Sequence, residues 1–354
     1  MRIISIDSVK GNEILAKDIY NDNDIILMSA GMTVKMDYVR KLKELNIKYI
    51  YVEDEIGKGV NLAGSLDIQI KDQCNSAVRN ILLKYSYQNS DELEKIKAVA
   101  DEIIYDIMQE PEVIYNLTSI RDKNDSTYSH SINVCAMAVI LSFRLKLTKA
   151  KIRDIAIGCL LHDIGFTFIT IDYHNITFDT CTDKERKEIM KHIVYGYSAI
   201  QKMEWLTQTM REIVISHHER MDGSGYPFHL KADKLKIGSK IVAVCDEFDS
   251  RVYGNFVPKM KVHEAIEYII SKAGTLFDLT VVKAFRDSIA AYPTGSLVRT
   301  NTGEEGIVLR QNPHFPTRPV IRIIKDGVGQ VFLEWRERDL MKELSVFIAD
   351  TIAE

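Results

Sequence analysis

The stretch His217-His218-Glu219-Arg220-Met221-Asp222-Gly223-Ser224-Gly225-Tyr226-Pro227 sets two adjacent imidazoles ahead of a Gly/Pro turn, with the dyad His162-Asp163 upstream and Asp246 downstream. Together with His130 and His192, this set takes in five of the chain's nine histidines. Nitrogen and carboxylate donors of this kind suit Fe, Mn, Zn, Ni or Co rather than a structural zinc site, and two such ions a few ångströms apart need a shared carboxylate. Taken singly the pieces say little. A His-Asp dipeptide is common at surfaces and helix ends, and Asp-Gly-Ser-Gly-Tyr-Pro alone is a tight turn. The ordered set is what points to a metal pair.

The elements that must position these residues are helical. From about Leu66 to Tyr292 apolar residues recur with a period of 3.6. Ile152, Ile155, Ala156, Cys159 and Leu160 form one stripe that ends at His162-Asp163, and Gly165 stands where a helix commonly terminates. Thr182 with Glu185 reads as a capping box opening a helix through Ile189, His192, Ile193, Gly196 and Ile200. A further helix, about Trp205 to His218, carries the paired histidines at its end, and another, about Ile237 to Phe248, places Asp246 beside Ile241 and Cys245. Ligands from five helices converging inside a bundle are a known way to hold a metal pair.

The flanks differ in character. Residues 1 to 65 alternate short β-like runs, Ile3 to Ile6 and Ile14 to Ile19, with a turn at Asn21 to Asp24, a helix at Lys35 to Leu45 and a strand at Tyr49 to Val52. After Pro293, Ser296–Arg299, Gly306–Arg310, Pro319–Ile324 and Gln330–Glu334 are short, mostly Val/Ile-rich and separated by Asn-Thr-Gly, Asn-Pro and Lys-Asp-Gly turns. The expected architecture is mainly α: a helical bundle at 66–292, a small α+β module at 1–65 and a small β domain at 293–354.

Over roughly residues 125 to 290, the long ordered motifs HHERMDGSGYP and AGTLFD (Ala273 to Asp278) resemble the HD-GYP family, the branch of the HD phosphohydrolases whose members hydrolyse the bacterial second messenger cyclic di-GMP. The resemblance implies an HD-type bundle and a metal-dependent phosphodiesterase. Asp163 would bridge two divalent ions, iron first and manganese next. His130, His162 and Asp246 would complete one ion's shell, and His192, His217 and His218 the other's. A metal-bridging hydroxide would then attack phosphorus, with about one net positive charge left on the site to hold the phosphodiester. Gly225 and Tyr226 of the turn, and the basic residues Arg251, Lys259 and Lys261, are the candidates for substrate contact.

Two positions depart from the family pattern. Most members read His-Asp-Ile-Gly-Lys, with the lysine holding a substrate phosphate, and here that lysine is Phe166, an apolar ring that cannot bond phosphate. Some relatives carry a Glu one turn before the first histidine that helps hold a third metal; Ser126 stands there, which favours two ions and pGpG as the product. Two alternatives to cyclic di-GMP hydrolysis follow: a catalytically weak receptor that binds the messenger and signals through partners, and a phosphodiesterase for another cyclic dinucleotide.

With 354 residues there is room for two or three domains, and a net charge of −4 with a pI near 6.2 excludes a general binder of nucleic acid polymers or membrane surfaces. Five cysteines without a CxxC pair read as buried apolar residues of a reducing compartment. No window of ~18 apolar residues and no basic-then-apolar leader is present, so a soluble cytoplasmic protein is expected. Helices within Leu66 to Glu110 are candidates for homodimerisation.

Overall fold

Every residue from 129 to 142 is buried, so the helix that carries them, α5 (Ser126–Arg144), is covered on all sides and forms the axis of a bundle. The computed structural model describes the whole chain except residues 1, 21–25, 46, 48, 56, 61–67, 88–89, 110–114, 116–125, 174–175 and 353–354. Two compact units result. One comprises 65–115 and 126–288, and the other 1–64, 116–125 and 289–354.

In the helical unit, α2 (Ile68–Tyr87), the short α3 (Ser90–Leu93) and α4 (Ile96–Gln109) precede α5. Next comes α6 (Lys149–Leu161), capped at its start by the Thr148 hydroxyl and buried from Ile155 onward. A 3₁₀ turn (Ile164–Phe168) leads to α7 (Asp183–Met190), α8 (His192–Ile200), α9 (Gln208–Ser216), α10 (Ile237–Tyr253), α11 (Val262–Ser271) and α12 (Leu279–Arg286). α5 packs on α6 and α10, and α9 packs on α6, α8 and α10. The helices that carry the histidine and aspartate motifs are therefore mutual neighbours.

The Thr182/Glu185 capping box is present, with Glu185 accepting from the Thr182 N–H at 2.9 Å. The helix it opens stops at Met190, however, and His192 begins a separate one. Gly165 has a different reason from the helix stop expected of it. Its φ is not positive, and a Cβ there would lie 1.8 Å from the carbonyl oxygen of His192, so glycine is required by the close approach of the 3₁₀ turn to α8.

The other unit holds a three-stranded antiparallel sheet in the order β1 (Arg2–Ser5), β5 (Tyr49–Glu53), β2 (Ile14–Leu15), and a small pair, β3 (Ile19–Tyr20) with β4 (Ile26–Met28). α1 (Met36–Glu44) adds Val39 and Leu42 to a core with Ile4, Leu15, Ile50 and Val52. The turn expected at Asn21 to Asp24 lies outside the described residues. The same unit includes a five-stranded antiparallel sheet, β6 (Leu297–Thr300), β7 (Glu305–Arg310), β8 (Val320–Lys325), β9 (Val331–Asp339) and β10 (Ile348–Thr351), in the order β10-β6-β7-β8-β9. Arg322 of β8 donates to the carbonyl of Lys58 at 2.5 Å. The mainly α architecture with a small module at each end of the chain is as expected. Among the described residues, no helix is long and apolar enough to cross a membrane.

Candidate metal centre

The last carbonyls of a helix have no intrahelical donor, and three histidines of this chain use that fact in the same way. His162 caps α6 and its Nδ1 lies 2.6 Å from the Cys159 carbonyl; His192 follows α7 with Nδ1 2.6 Å from the Ile189 carbonyl; His217 caps α9 with Nδ1 3.2 Å from the Val214 carbonyl. Each Nδ1–H donates to the carbonyl three residues back. This fixes the tautomer and leaves each Nε2 as a lone pair aimed inward.

All three Nε2 atoms face Asp163. Its Oδ2 lies 3.3 Å from His162 Nε2 and 3.6 Å from His130 Nε2, while its Oδ1 lies 3.5 Å from His192 Nε2 and 3.6 Å from His217 Nε2. One carboxylate thus turns a different oxygen to each of two groups. His130, His162 and Asp246 form one, with His130 Nε2 3.1 Å from Asp246 Oδ1 and 3.2 Å from His162 Nε2. Asp163, His192, His217 and His218 form the other, and His218 Nδ1 also lies 3.3 Å from Asp246 Oδ2.

These separations can be tested against a metal ion. Ligands about 2.1 Å from an ion are about 3.0 Å apart at right angles and about 3.4 Å apart at tetrahedral angles. The observed spacings of 3.1 to 3.6 Å are therefore those of a coordination polyhedron. Moreover, the buried Nε2 atoms of His192 and His217 have no hydrogen-bond partner among the described residues, a cost that a bound cation removes. The donor set fits two ions.

The electrostatics agree with a ligating state. Burial opposes charge on Asp163, but His162, His217 and His192 override it and hold the carboxyl well below the usual range. Burial pushes His192 down to about 4 and His218 well below an ordinary imidazole, so both keep their lone pairs at neutral pH. His130 and His162 are the exceptions. Burial opposes charge on both, yet Asp246 and Asp249 raise His130 to about 10 and Asp163 raises His162, so proton and metal compete for their Nε2 atoms.

Behind the ligands stands a residue that the sequence reading passed over. Asp249, fully buried on α10, lies with Oδ2 2.6 Å from His130 Nδ1 and accepts from Asn133 Nδ2 at 2.9 Å, and Tyr115 in turn donates to Asn133 Oδ1 at 3.2 Å. Its spacing of three from Asp246 on one helix was the available signal. Glu219, also buried, accepts from the N–H groups of Phe228 at 2.7 Å and Leu230 at 2.9 Å, pinning the Gly-Tyr-Pro loop onto the paired histidines. Gly225 is glycine because a Cβ would meet the Arg220 nitrogen at 2.3 Å.

A cleft of about 550 Å³, its open mouth included, opens onto the candidate ligand cluster at His130, Asp163, His218 and Asp246, and Phe166, Tyr173, Ile176, Ser250, Gly254, Asn255 and Phe256 line the rest of it. The candidates for substrate contact lie elsewhere. Tyr226 stacks on His218 with centroids 4.8 Å apart, on the ligand rather than in the cleft. Arg251 pairs with Glu247 at 2.8 Å and lies 3.4 Å over the Tyr268 ring, and the exposed Lys259 and Lys261 are likewise not among the lining residues. Arg220 shares Glu247 with Arg251, at 2.7 Å.

Known proteins bear on the same residues. A family model for the HD domain matches residues 112–281, and a model for a KOW domain associated with HD domains matches 297–354. A cyclic di-GMP phosphodiesterase of Pseudomonas aeruginosa is 29% identical over 244 residues, 68% of this chain and 58% of that protein. Residues 112–281 thus match an HD domain, and the chain is similar to cyclic di-GMP phosphodiesterases of the HD-GYP type. A cyclic di-GMP phosphodiesterase of Thermotoga maritima is 33% identical over 180 residues, 49% of this chain and 47% of that one. The chain thus spans about half the length of these curated relatives. An HDG"Y"P protein from Bdellovibrio bacteriovorus shares the fold, with a TM-score of 0.54 over 80% of this chain and 98% of that one at 18% identity.

Proposed function

We propose that this protein is a metal-dependent phosphodiesterase that opens cyclic di-GMP to the linear dinucleotide pGpG. The observation that carries the reading is Asp163, whose two oxygens face two separate groups of buried ligands. The names of the relatives from Pseudomonas and Thermotoga support the substrate.

His130, His162 and Asp246 would hold one ion, His192, His217 and His218 the other, and Asp163 both. Bound there, two divalent ions, iron first and manganese next, would supply Lewis acidity to a phosphodiester oxygen and lower the pKa of a water. Water's oxygen joins phosphorus, the bond from phosphorus to the 3′ oxygen breaks, and a proton ends on that oxygen. The chain's own part is to keep His192 and His218 neutral and the Asp163 and Asp246 carboxylates charged inside a cleft that takes one face of the substrate. Ser126 in place of a carboxylate supports two ions rather than three, and so a reaction that stops at pGpG.

One observation favours a second reading, a receptor that binds the messenger without turning it over. Phe166 stands where the phosphate-holding lysine is expected, and it lines the cleft. Dimerisation through residues 66–110 and a signalling partner belong with either reading; Tyr105 and Met108 on α4 are exposed. Anaerobically purified protein, incubated with cyclic di-GMP and other cyclic dinucleotides and followed by chromatography and elemental analysis, tests these together. About two ions per chain with pGpG formation is expected. Tight binding without product would favour the receptor, cleavage of a different cyclic dinucleotide alone would reassign the substrate, and no metal after reconstitution would overturn the site.

A further inference from the structure

The cleft beside the ligand cluster has an aromatic wall. Phe166 is almost fully buried, but Tyr173 and Phe256 are only half-buried and line the open space. Phe256 lies 5.6 Å from Phe166 with planes 9° apart and 5.4 Å from Phe178 with planes 17° apart, spacings that make near-parallel rings offset rather than face to face. Tyr173 lies 4.7 Å from Phe166 and 6.1 Å from Phe256. The lining includes no lysine or arginine among the described residues.

The backbone is spent on placing this ring. Phe256 has φ 57°, in the left-handed region that a bulky side chain rarely adopts, and its carbonyl accepts from the Phe178 N–H at 2.8 Å. Asn255 precedes it in the lining, and Ser250, whose hydroxyl donates to Asp246 at 3.4 Å, adds a polar group on the side of the cluster.

We infer that Tyr173 and Phe256 form a nucleobase platform, so that the ligand is gripped by stacking of one purine while its phosphodiester lies at the Asp163 cluster. The inference rests on the phosphodiesterase reading for its natural ligand, but not for its physics. Any planar base beside a phosphate meets the same surface, and stacking on an aromatic side chain is tolerant of base identity. The platform makes Tyr173 and Phe256 specificity-determining residues, with base stacking taking over the grip that a lysine would give to a phosphate.

Titration calorimetry of metal-loaded protein with a non-hydrolysable phosphorothioate analogue of cyclic di-GMP tests it. Phe256→Leu and Tyr173→Leu keep apolar volume and remove the ring; each should weaken binding about ten- to a hundredfold, the range for one lost base stack. Phe256→Tyr should restore it, and metal content should stay at the wild-type level in all three. Binding unchanged within threefold in both leucine variants overturns the platform. A second pair of ligands separates this inference from the reading beneath it. Wild type should bind GMP at least about tenfold more tightly than ribose 5-phosphate, and Phe256→Leu should erase the difference. If the cyclic analogue fails to bind while that preference is present, the substrate assignment falls and the platform stands. Equal binding of GMP and ribose 5-phosphate overturns the platform itself.

Discussion

The phenyl ring of Phe166 lies almost flat on the imidazole of His192, with centroids 4.3 Å apart and planes 12° from parallel. That contact exists because Gly165 lets the 3₁₀ turn lie against the start of α8. The residue in the lysine's position therefore packs flat on a candidate metal ligand.

It follows that Phe166→Lys should not restore a missing function. The substitution removes a stack worth about 0.5–1.5 kcal/mol and sets an ammonium group against a buried imidazole already held neutral, at a desolvation cost of a few kcal/mol more. A lower melting temperature, reduced metal content and slower or absent hydrolysis are expected, whereas Phe166→Tyr should keep the ion count. Differential scanning calorimetry with elemental analysis reads all of this. A lysine variant that binds cyclic di-GMP more tightly or turns it over faster would show that the ring is dispensable.

Asp163 should be the least replaceable ligand. Losing a terminal histidine removes one donor from one ion, but Asp163→Ala removes a donor and a shared negative charge from both groups. We expect that variant to lose at least one ion per chain and all phosphodiester hydrolysis, while His218→Ala, at the more open edge of the cluster, retains more metal. Near-normal turnover by Asp163→Ala with a full complement of metal would mean that the centre is elsewhere.

Much of the centre was legible because its logic is local. His162 and His217 cap helices whose apolar stripes can be read directly, and the three-residue reach back to a free carbonyl is a property of any helix end. Asp249 was equally legible in principle, three residues beyond Asp246, yet α10 had to be followed past Phe248 to Tyr253 to see it. The fate of Arg251 was also in the sequence, since Glu247 precedes it by four residues on the same helix and takes its charge. The aromatic wall could not be read in this way. Phe256 is far in sequence from Phe166 and Tyr173, and the pairing of Thr177 with Phe256 brings the two loops together. β10 (Ile-Ala-Asp-Thr) escaped notice because an edge strand with a polar outer face lacks the Val/Ile run that marks its neighbours.

Thiol chemistry gives a check on the packing of the helical unit. Burial raises the thiols of Cys135, Cys159 and Cys245 well above their usual value and Cys74 to about 12, while Cys181 is the one half-exposed cysteine. Because only the thiolate attacks, a raised pKa leaves almost none of it below about pH 10. Native protein at pH 8 should therefore be alkylated at Cys181 alone, and all five should react once guanidinium unfolds the chain. Rapid labelling of two or more cysteines in the native state, located by mass spectrometry, would show that the helical unit opens readily.

Asp249 supplies the most direct test of how the centre is held. Its carboxylate fixes His130 Nδ1 at 2.6 Å and is itself held by Asn133, so the imidazole presents Nε2 to the Asp163 and Asp246 oxygens in one orientation. Asp249→Asn keeps the volume and one acceptor oxygen but gives up the charge, and the new amide can turn a donor toward the ring. Loss of such an outer partner typically costs ten- to a hundredfold in metal affinity. We expect that range for the ion bound by His130, His162 and Asp246, with little change for the ion at His192, His217 and His218. Competition with a chelator of known affinity, followed ion by ion, would resolve the two. A purely structural role would instead lower the melting temperature of the metal-free protein and weaken both ions alike, so uniform loss would remove Asp249 from the positioning of His130.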